Sequence, residues 1–412
     1  MTYKSWLIWS CAGLFYLYEM VLRASPSVIA KDLMLDFGVA STALGVLASC
    51  YYYSYVILQI PCGVIVDKLG SRRVVVYSTL LCVIGSLLFA KSDSLFMAQI
   101  GRFLIGAGSA CAFISCLKVG SEWFLPAQFA MIAGLSNMMG TLGGMVSGPP
   151  FAILSNTFGW REATLIAATV GILLAIIFWF AMQDKPKVTH DSSLSLLKGL
   201  KKIAQDPYNW IIASVGGLMY VPISAFCELW AVPYLMEKYQ VTNDVASRAS
   251  IMIYLGIAFG SPLAARLSNT FKSPVRVMMG SSLLTAALFM AAVRFDSMTY
   301  QAMLVILFFA GMANAGQVMC FAAVKENVEN HLSGTAAGFT NALVMLSGII
   351  FQPLLGIILD VSWQGQLNGD GTRFYGEEAY QTAMMAIPLC FIAGWILLQM
   401  AERFFKPQAQ AA

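Results

Sequence analysis

Long apolar segments separated by short polar ones recur along the whole chain. A helix needs about 20 apolar residues to cross a bilayer, so each segment is long enough for one membrane span. Twelve spans are predicted, at residues 6–30, 41–66, 74–91, 94–121, 127–154, 161–182, 209–235, 247–268, 274–293, 299–324, 332–359 and 379–402. The pattern predicts an all-α, polytopic membrane protein with twelve transmembrane helices.

One longer polar segment, residues 183–208, interrupts this pattern between the sixth and seventh spans. We interpret it as a linker between two six-helix bundles, residues 1–182 and 209–412. The two bundles resemble a repeat. A shift of 204 residues places Gly134, Asn137, Gly144 and Pro149 on Gly338, Asn341, Gly348 and Pro353. Two pseudo-symmetric halves with a central site between them are therefore predicted.

The composition of the chain excludes several classes of function. The chain is 58% hydrophobic and 11% charged, with a formal net charge of +4, whereas a soluble chain is about 25% charged. These values exclude a soluble enzyme and give no support to a nucleic-acid partner. The nine cysteines lie almost entirely in apolar runs and form no Cys-x-x-Cys pair, so we interpret them as small core side chains. Only two histidines occur, His190 and His331. We expect no metal, no cofactor and no enzymatic activity.

Lysine and arginine are distributed unequally between the predicted loops. With the N-terminus placed in the cytoplasm, the inside loops and termini hold 14 of these residues and the outside loops hold 7. Because inside loops are the more basic ones, both termini and the linker are predicted to be cytoplasmic. The first apolar run lacks a small-residue cleavage site, so we interpret it as a retained span and not as a signal peptide.

The loop between the second and third spans reads GVIVDKLGSRR, from Gly63 to Arg73. Gly70 permits a tight turn, and Asp67 is expected to pair with Arg72 or Arg73 or to face the positive N-terminus of a neighbouring helix. A plain basic loop is the simpler interpretation. The spacing, however, closely resembles the G-x-x-x-D-(R/K)-x-G-x-(R/K)-(R/K) signature of the major facilitator superfamily. The resemblance implies a transporter in which Asp67, Arg72 and Arg73 serve gating and do not contact substrate.

Further motifs are similar to the anion:cation symporter branch of that superfamily. They are Tyr18-Glu19-x-x-x-Arg23, Arg102-x-x-x-Gly106, Glu122-Trp123-Phe124, Gly159-Trp160-Arg161 and Trp230-x-x-Pro233-Tyr234-Leu235. The branch usually has an acid directly before the span-one arginine and often a carboxylate in span four, where this chain has Leu22 and Ser109. Weaker similarity links the chain to phagosomal nutrient transporters of intracellular bacteria, which move amino acids or nucleosides.

Two oppositely charged residues lie one helical turn apart in the first span. A charge at mid-bilayer costs on the order of 3 kcal/mol and rarely persists without a partner or a role. Glu19 and Arg23 share one helix face, so we expect them to pair. Either the pair only orients the helix, or Arg23 holds a substrate carboxylate or phosphate, a group that its planar guanidinium suits. Protonation of Glu19 would then free Arg23.

Two other ionisable residues lie at membrane depth. Glu228 in span seven is expected to carry a proton, the alternative being a hydrogen-bonded buried acid. For Arg102 in span four, the resemblance to the superfamily implies a part in proton coupling or in contacts between helices. Lys118 and Lys325 occupy symmetric positions near the inside ends of spans four and ten, where they either extend to the membrane surface or form gating pairs with Glu122, Glu326 or Glu329.

Several uncharged residues are candidates for the binding site. Tyr18 and Tyr220 are matched by the repeat, and we expect both to line the cavity. Asn314 and Gln317 in span ten and Asn341 in span eleven are expected either to contact substrate or to hold helices together.

These observations favour a secondary transporter of a small hydrophilic, carboxylate-bearing solute such as an organic anion or amino acid. Its expected partners are that solute, protons and the lipid bilayer. We expect a monomer in the bacterial cytoplasmic (inner) membrane that works by alternating access and proton symport. Two alternatives remain: a proton antiporter that exports a siderophore or drug, and a transporter-like sensor of a solute.

Overall fold

A computed structural model describes residues 3–125, 128–185, 193–329 and 332–404 of the chain. Within these ranges the chain is almost entirely helical, and its one β contact is an isolated bridge between Leu367 and Arg373. His190 and His331, and linker residues 186–192, lie outside the described residues.

The first helices of the chain are α1 (Tyr3–Ala24), α2 (Ala30–Phe37), α3 (Ser41–Leu69), α4 (Ser71–Ala90), α5 (Leu95–Ser109), α6 (Ala112–Trp123), α7 (Phe129–Val146), α8 (Pro149–Phe158) and α9 (Trp160–Ala181). The later helices are α10 (Ser193–Ala204), α11 (Pro207–Val221), α12 (Ala231–Tyr239), α13 (Asn243–Ala246), α14 (Arg248–Phe271), α15 (Pro274–Arg294), α16 (Tyr300–Asn314), α17 (Met319–Glu326), α18 (Ser333–Val361), α19 (Glu377–Met384) and α20 (Ala386–Phe404). A π-helical segment, Pro222–Trp230, joins α11 to α12, and a 3₁₀ turn, Ala315–Val318, joins α16 to α17.

The prediction of an all-α, polytopic membrane protein is confirmed. Eleven helical segments of the described chain are long and apolar enough to cross a membrane. They correspond to eleven of the twelve predicted spans. The remaining prediction, residues 127–154, falls on α7 and α8, which are separated at Gly148 because two prolines begin the second helix.

The turn between α3 and α4 depends on one glycine. Gly70 has a φ of +88°, a conformation that L side chains rarely adopt. The Asp184 carboxylate, which follows α9, accepts a hydrogen bond from the Arg72 backbone N–H at 2.9 Å and so caps the start of α4. A Cβ atom on Gly70 would lie 2.5 Å from that carboxylate. We call this end of the helix bundle the linker end.

At the other end of the bundle, α3 and α18 are in backbone contact. A Cβ atom on Gly45 would lie 2.5 Å from the carbonyl oxygen of Gln352, and one on Gly356 would lie 2.4 Å from that of Ser41. Small residues allow helices to approach this closely inside a membrane. The start of α3 thus packs directly against the second half of α18. We call this end of the helix bundle the opposite end.

One expectation about the cysteines is wrong. Cys62 on α3 and Cys111, just before α6, form a disulfide. The other seven are free, and six of these are buried as predicted. The sequence did not indicate the bridge because its two residues come from different helices and show no paired spacing.

The glycine contact predicts unequal effects of two similar substitutions in α3. We expect Gly45→Ala to lower the midpoint of thermal unfolding in detergent, because overpacking costs about 1–3 kcal/mol. The matched control is Gly63→Ala, since no atom lies within 4 Å of a Cβ at Gly63 and alanine is the better helix former. Equal shifts in the two variants would contradict the backbone contact.

Candidate functional site

A cavity of about 500 Å³ lies among the helices, between Arg23 and the linker end. Its lining is largely aromatic and apolar, and Arg23 is the one charged side chain among the described residues that line it. The other polar lining residues are Tyr16, Tyr55, Asn137, Thr141, Tyr220, Tyr254, Ser261, Asn314, Gln317 and Asn341. A mostly apolar space with a few polar groups is typical of small-molecule sites.

The position of Arg23 follows from how α1 ends. Pro26 disfavours helical backbone in the residue before it, so α1 stops at Ala24 and a 3₁₀ turn follows. The last carbonyl groups of α1 therefore lack helical partners. Arg102, fully buried on α5, donates to the carbonyl oxygens of Leu22 at 2.8 Å and Arg23 at 3.2 Å. Its cation suits the negative end of the helix, and Arg102 thereby fixes the backbone that carries Arg23.

Arg23 pairs with a residue from the second part of the chain. Its Nε atom lies 3.0 Å from Oε1 of Glu228, and the two side chains are 3% and 0% exposed. Its Nη2 atom donates to the hydroxyl groups of Tyr220 at 2.8 Å and Tyr52 at 3.0 Å. Tyr52 in turn donates to Oε2 of Glu228. Since each charge has its opposite within contact, the cost of burying the two charges is compensated.

Glu228 lies in the π-helical segment Pro222–Trp230. Pro222 has no backbone N–H and cannot continue the α-helical hydrogen bonds of α11. Wider helical turns of this kind occur frequently at functional sites. The segment packs against the 3₁₀ turn that ends α1, so the helix irregularities on both sides bring Arg23 and Glu228 together.

The predicted pairing of Arg23 with Glu19 is therefore wrong. Glu19 is fully buried and its Oε2 atom accepts a hydrogen bond from the Tyr51 hydroxyl at 2.8 Å. A spacing of four residues makes a pair possible, but it does not decide between that partner and one from a distant helix. Neither Glu19 nor Glu228 is among the residues that line the cavity.

The predicted cavity residues divide into two groups. Tyr220, Asn314, Gln317 and Asn341 line the cavity as expected. The expectation for Tyr18 is wrong, because its hydroxyl lies beside Gly171 of α9 and the residue is absent from the lining. Its match with Tyr220 in the repeat did not preserve its environment.

Several residues at this site are not among the predicted ones. The Tyr52 hydroxyl bonds both members of the ion pair, and Tyr254 and Asn137 line the cavity. One signal was available, since the repeat matches Asn137 with Asn341 and Gly144 with Gly348. The two glycines make room for aromatic rings: a Cβ on Gly144 would lie 2.5 Å from the Tyr254 ring. A Cβ on Gly348 would lie 2.4 Å from the Tyr52 ring.

The residues predicted to serve gating lie at the linker end, with other partners than expected. Asp67 pairs with Lys118 at 2.7 Å and not with Arg72 or Arg73, because Asp184 already occupies the start of α4. Arg72 stacks on the Trp179 ring, with its guanidinium carbon 4.5 Å from the ring centre, and Arg73 is exposed.

The symmetric lysines also differ from each other. Lys118 makes the predicted contact with Glu122, at 3.3 Å. In the described residues, Glu329 pairs with Lys202 of α10 at 2.5 Å and not with Lys325. Glu122 and Glu329, which occupy matched positions in the repeat, therefore have different partners.

The opposite end carries a partly buried polar cluster that the sequence did not predict. Asp360 of α18 accepts hydrogen bonds from the Thr42 backbone N–H at 2.9 Å and the Tyr375 hydroxyl at 2.5 Å, and it lies 3.2 Å from Arg373. Tyr375 also accepts from the Ser41 backbone N–H at 3.2 Å. Burial and the bond to Asp360 raise the pKa of Tyr375, so its hydroxyl keeps its proton and donates. We call these five residues the Asp360 cluster.

Comparison with known proteins places the chain in a family. The model of the Major Facilitator Superfamily matches residues 8–352 and 229–407. The chain belongs to this superfamily: it is a multi-pass membrane transporter and not an enzyme.

Three curated relatives match most of the chain. A hexuronate transporter of Bacillus subtilis is 21% identical over 82% of this chain and 84% of its own length. A probable sulfoacetate transporter of Cupriavidus necator is 22% identical over 84% of this chain and 85% of its own length. A membrane sensor protein of Escherichia coli is 23% identical over 87% of this chain and 86% of its own length. Two of these three relatives are thus named as transporters of organic anions.

Among solved structures, a bacterial homolog of the human lysosomal transporter Spinster, in an inward-facing and unoccupied conformation, has the same fold. Its TM-score is 0.84, its sequence identity is 16%, and the match covers 98% of both chains.

Arg23 and Glu228 are far apart in the sequence but in contact in the structure. The ion pair therefore predicts strong energetic coupling between substitutions of these two residues. Breaking one partner of a buried pair costs about 3–5 kcal/mol, so Arg23→Gln and Glu228→Gln should each lower the free energy of unfolding. The double variant should lose clearly less than the sum of the two losses. Glu19→Gln combined with Arg23→Gln is the comparison and should show the weaker coupling, because Glu19 is close to Arg23 but bonds Tyr51. Stronger coupling of Arg23 to Glu19 than to Glu228 would contradict the pairing described here.

Proposed function

We propose that this protein moves a small carboxylate-bearing anion across the bacterial inner membrane by alternating access with proton symport. The observation that carries the proposal is the environment of Arg23. Among the described residues it is the one charged side chain of the cavity lining, and Glu228, which is outside the lining, supplies its opposite charge. A planar guanidinium binds a carboxylate through paired hydrogen bonds. The anionic solutes named for two of the relatives support the same class of solute.

Coupling to protons follows from competition for Arg23. While Glu228 is ionised, it neutralises Arg23, and a second carboxylate at this place would be left without a countercharge. When Glu228 takes up a proton, Arg23 is free to bind the anion. Anion and proton are therefore bound together and released together. Glu19, which Tyr51 holds, is a second acid near this site, and Arg102 acts as a positioning residue.

The direction of opening is part of the same proposal. We place the linker end in the cytoplasm, as the distribution of basic residues favours, and treat residues 1–182 and 209–412 as the two moving halves of a monomer. The cavity extends from Arg23 towards the linker end, while α3 and α18 touch at the opposite end. In this arrangement the solute reaches Arg23 from the cytoplasmic side. Asp67, Arg72, Arg73, Lys118 and Lys325 would then lie at the inner gate.

A solute sensor is the second candidate, because one relative is named as a membrane sensor. A sensor and a carrier would share the binding cavity. They differ in whether the solute accumulates, so the experiment below separates them.

Glu228→Gln should abolish proton-driven accumulation and preserve exchange. Glutamine resembles the protonated acid, so Arg23 stays free to bind the anion but no proton moves with it. Uptake of labelled glucuronate into proteoliposomes measures both activities, with an imposed pH gradient for accumulation and a preloaded interior for exchange. Glu19→Gln, whose acid does not contact Arg23, is the control and should still accumulate solute. Accumulation by Glu228→Gln would contradict the proton role, and binding without any accumulation by the unmodified protein would identify a sensor.

Asp360→Ala should open the opposite end more often. Without the carboxylate, the buried donors of Thr42 and Tyr375 lose their acceptor, which costs about 1–3 kcal/mol in the closed arrangement. The rate at which a membrane-impermeant maleimide added to intact cells labels Ile223→Cys, in the cavity lining, should increase severalfold. The control is Asp370→Ala, which removes an equal charge from the loop that follows α18 but leaves the contacts of Asp360 to Thr42 and Tyr375 in place. Equal labelling rates in both backgrounds would exclude this gating role.

A further inference from the structure

Two buried polar side chains line the cavity without any hydrogen-bond partner among the described residues. Asn314, at the end of α16, is 1% exposed, and neither its amide nitrogen nor its amide oxygen is bonded. Tyr254, on α14, is 4% exposed, and its hydroxyl is likewise unbonded. An unbonded buried polar group costs about 1–3 kcal/mol. Such groups in a cavity wall point to a ligand that supplies the missing bonds.

The packing of α14 against α16 holds these two residues in place. A Cβ on Gly311 would lie 2.2 Å from the carbonyl oxygen of Ile253, and one on Gly256 would lie 2.1 Å from that of Phe308. The two helices are thus in backbone contact. Tyr254 directly follows Ile253, and Asn314 lies one turn after Gly311, so both residues belong to one wall of the cavity.

The charge of the cavity limits what can bind opposite Arg23. Asn314 and Tyr254 are neutral, and Arg23 is the one charged lining residue in the described chain. One anionic group on the solute is therefore compensated. A second one would be buried beside neutral groups, which is costly. A hydroxyl or amide group, by contrast, can satisfy both the donor and the acceptor of Asn314.

We propose that Asn314 and Tyr254 form a neutral subsite that selects solutes with one carboxylate and a separate uncharged hydrogen-bonding group, and that discriminates against dianions. This inference rests on the proposed function, since it takes Arg23 as the carboxylate site. A site built to bond a hydroxyl rejects analogues that lack it far more strongly than an apolar pocket rejects an extra methylene.

A matched set of probes tests the subsite. 4-Hydroxybenzoate, benzoate and terephthalate share one ring and one carboxylate and differ only in the opposite group, which is a hydroxyl, a hydrogen or a second carboxylate. Glucuronate and glucarate form a corresponding sugar pair. We expect the hydroxylated monoanion of at least one series to bind the purified protein about tenfold or more tightly than its partners, measured by equilibrium binding in nanodiscs. Preference for the dianion, or no preference in either series, would overturn the proposal.

Substitutions then assign the selectivity to these residues. Asn314→Leu and Tyr254→Phe should each reduce the preference for the hydroxylated probe severalfold and leave benzoate binding little changed. Tyr239→Phe, which removes a buried unbonded hydroxyl outside the cavity, should preserve the preference. Asn314→Lys supplies a second cation and should shift the preference towards terephthalate and glucarate. Unchanged selectivity in all three cavity variants would refute the subsite.

The same measurements separate this proposal from the proposed function. Arg23→Lys should weaken binding of every probe, hydroxylated or not, because all of them carry the carboxylate. If Arg23→Lys leaves binding unchanged, or if no probe of either series binds, the proposed function fails. If Arg23→Lys weakens all binding but the Asn314 and Tyr254 variants keep full selectivity, the carboxylate site stands and the neutral subsite fails.

Discussion

The ion pair between Arg23 and Glu228 is the contact on which the centre of this protein depends. Both side chains are almost fully buried, and a buried charge is costly unless an opposite charge matches it. Four tyrosine rings, those of Tyr51, Tyr52, Tyr55 and Tyr220, lie with their centres 5.0 to 6.0 Å from the guanidinium carbon of Arg23. In the proposed function, a solute that takes the place of Glu228 brings a negative charge of its own, which links solute binding to the charge state of the pair.

The surrounding backbone is shaped to hold that pair. Arg102 bonds the terminal carbonyl groups of α1, where Arg23 lies, and Pro222 begins the π-helical segment that carries Glu228. Gly348 leaves space for the ring of Tyr52, which bonds both members of the pair. A fully buried arginine such as Arg102 is thus explained by the helix end that it caps, although no carboxylate of the described residues pairs with it directly.

The two ends of the bundle differ in the strength of their contacts. At the opposite end, α3 and α18 meet backbone to backbone and Asp360 satisfies several buried donors at once. At the linker end, the side chains of the Lys118–Asp67 pair are 32% and 50% exposed, and exposed ion pairs contribute only about 0–1 kcal/mol. The difference is consistent with an arrangement in which the opposite end is shut and the cavity extends towards the linker end.

The sequence by itself determined the fold class, most of the membrane spans, and the short set of charges at membrane depth, because the bilayer excludes charge and requires long apolar helices. It identified Arg23 and Glu228 as separate candidates. Only the tertiary structure decided that they pair with each other, that Glu19 bonds Tyr51, and that Tyr18 faces away from the cavity. Helical periodicity relates residues within one helix, whereas the partner of a buried charge depends on which helices touch and where irregular turns such as Pro222–Trp230 redirect their side chains.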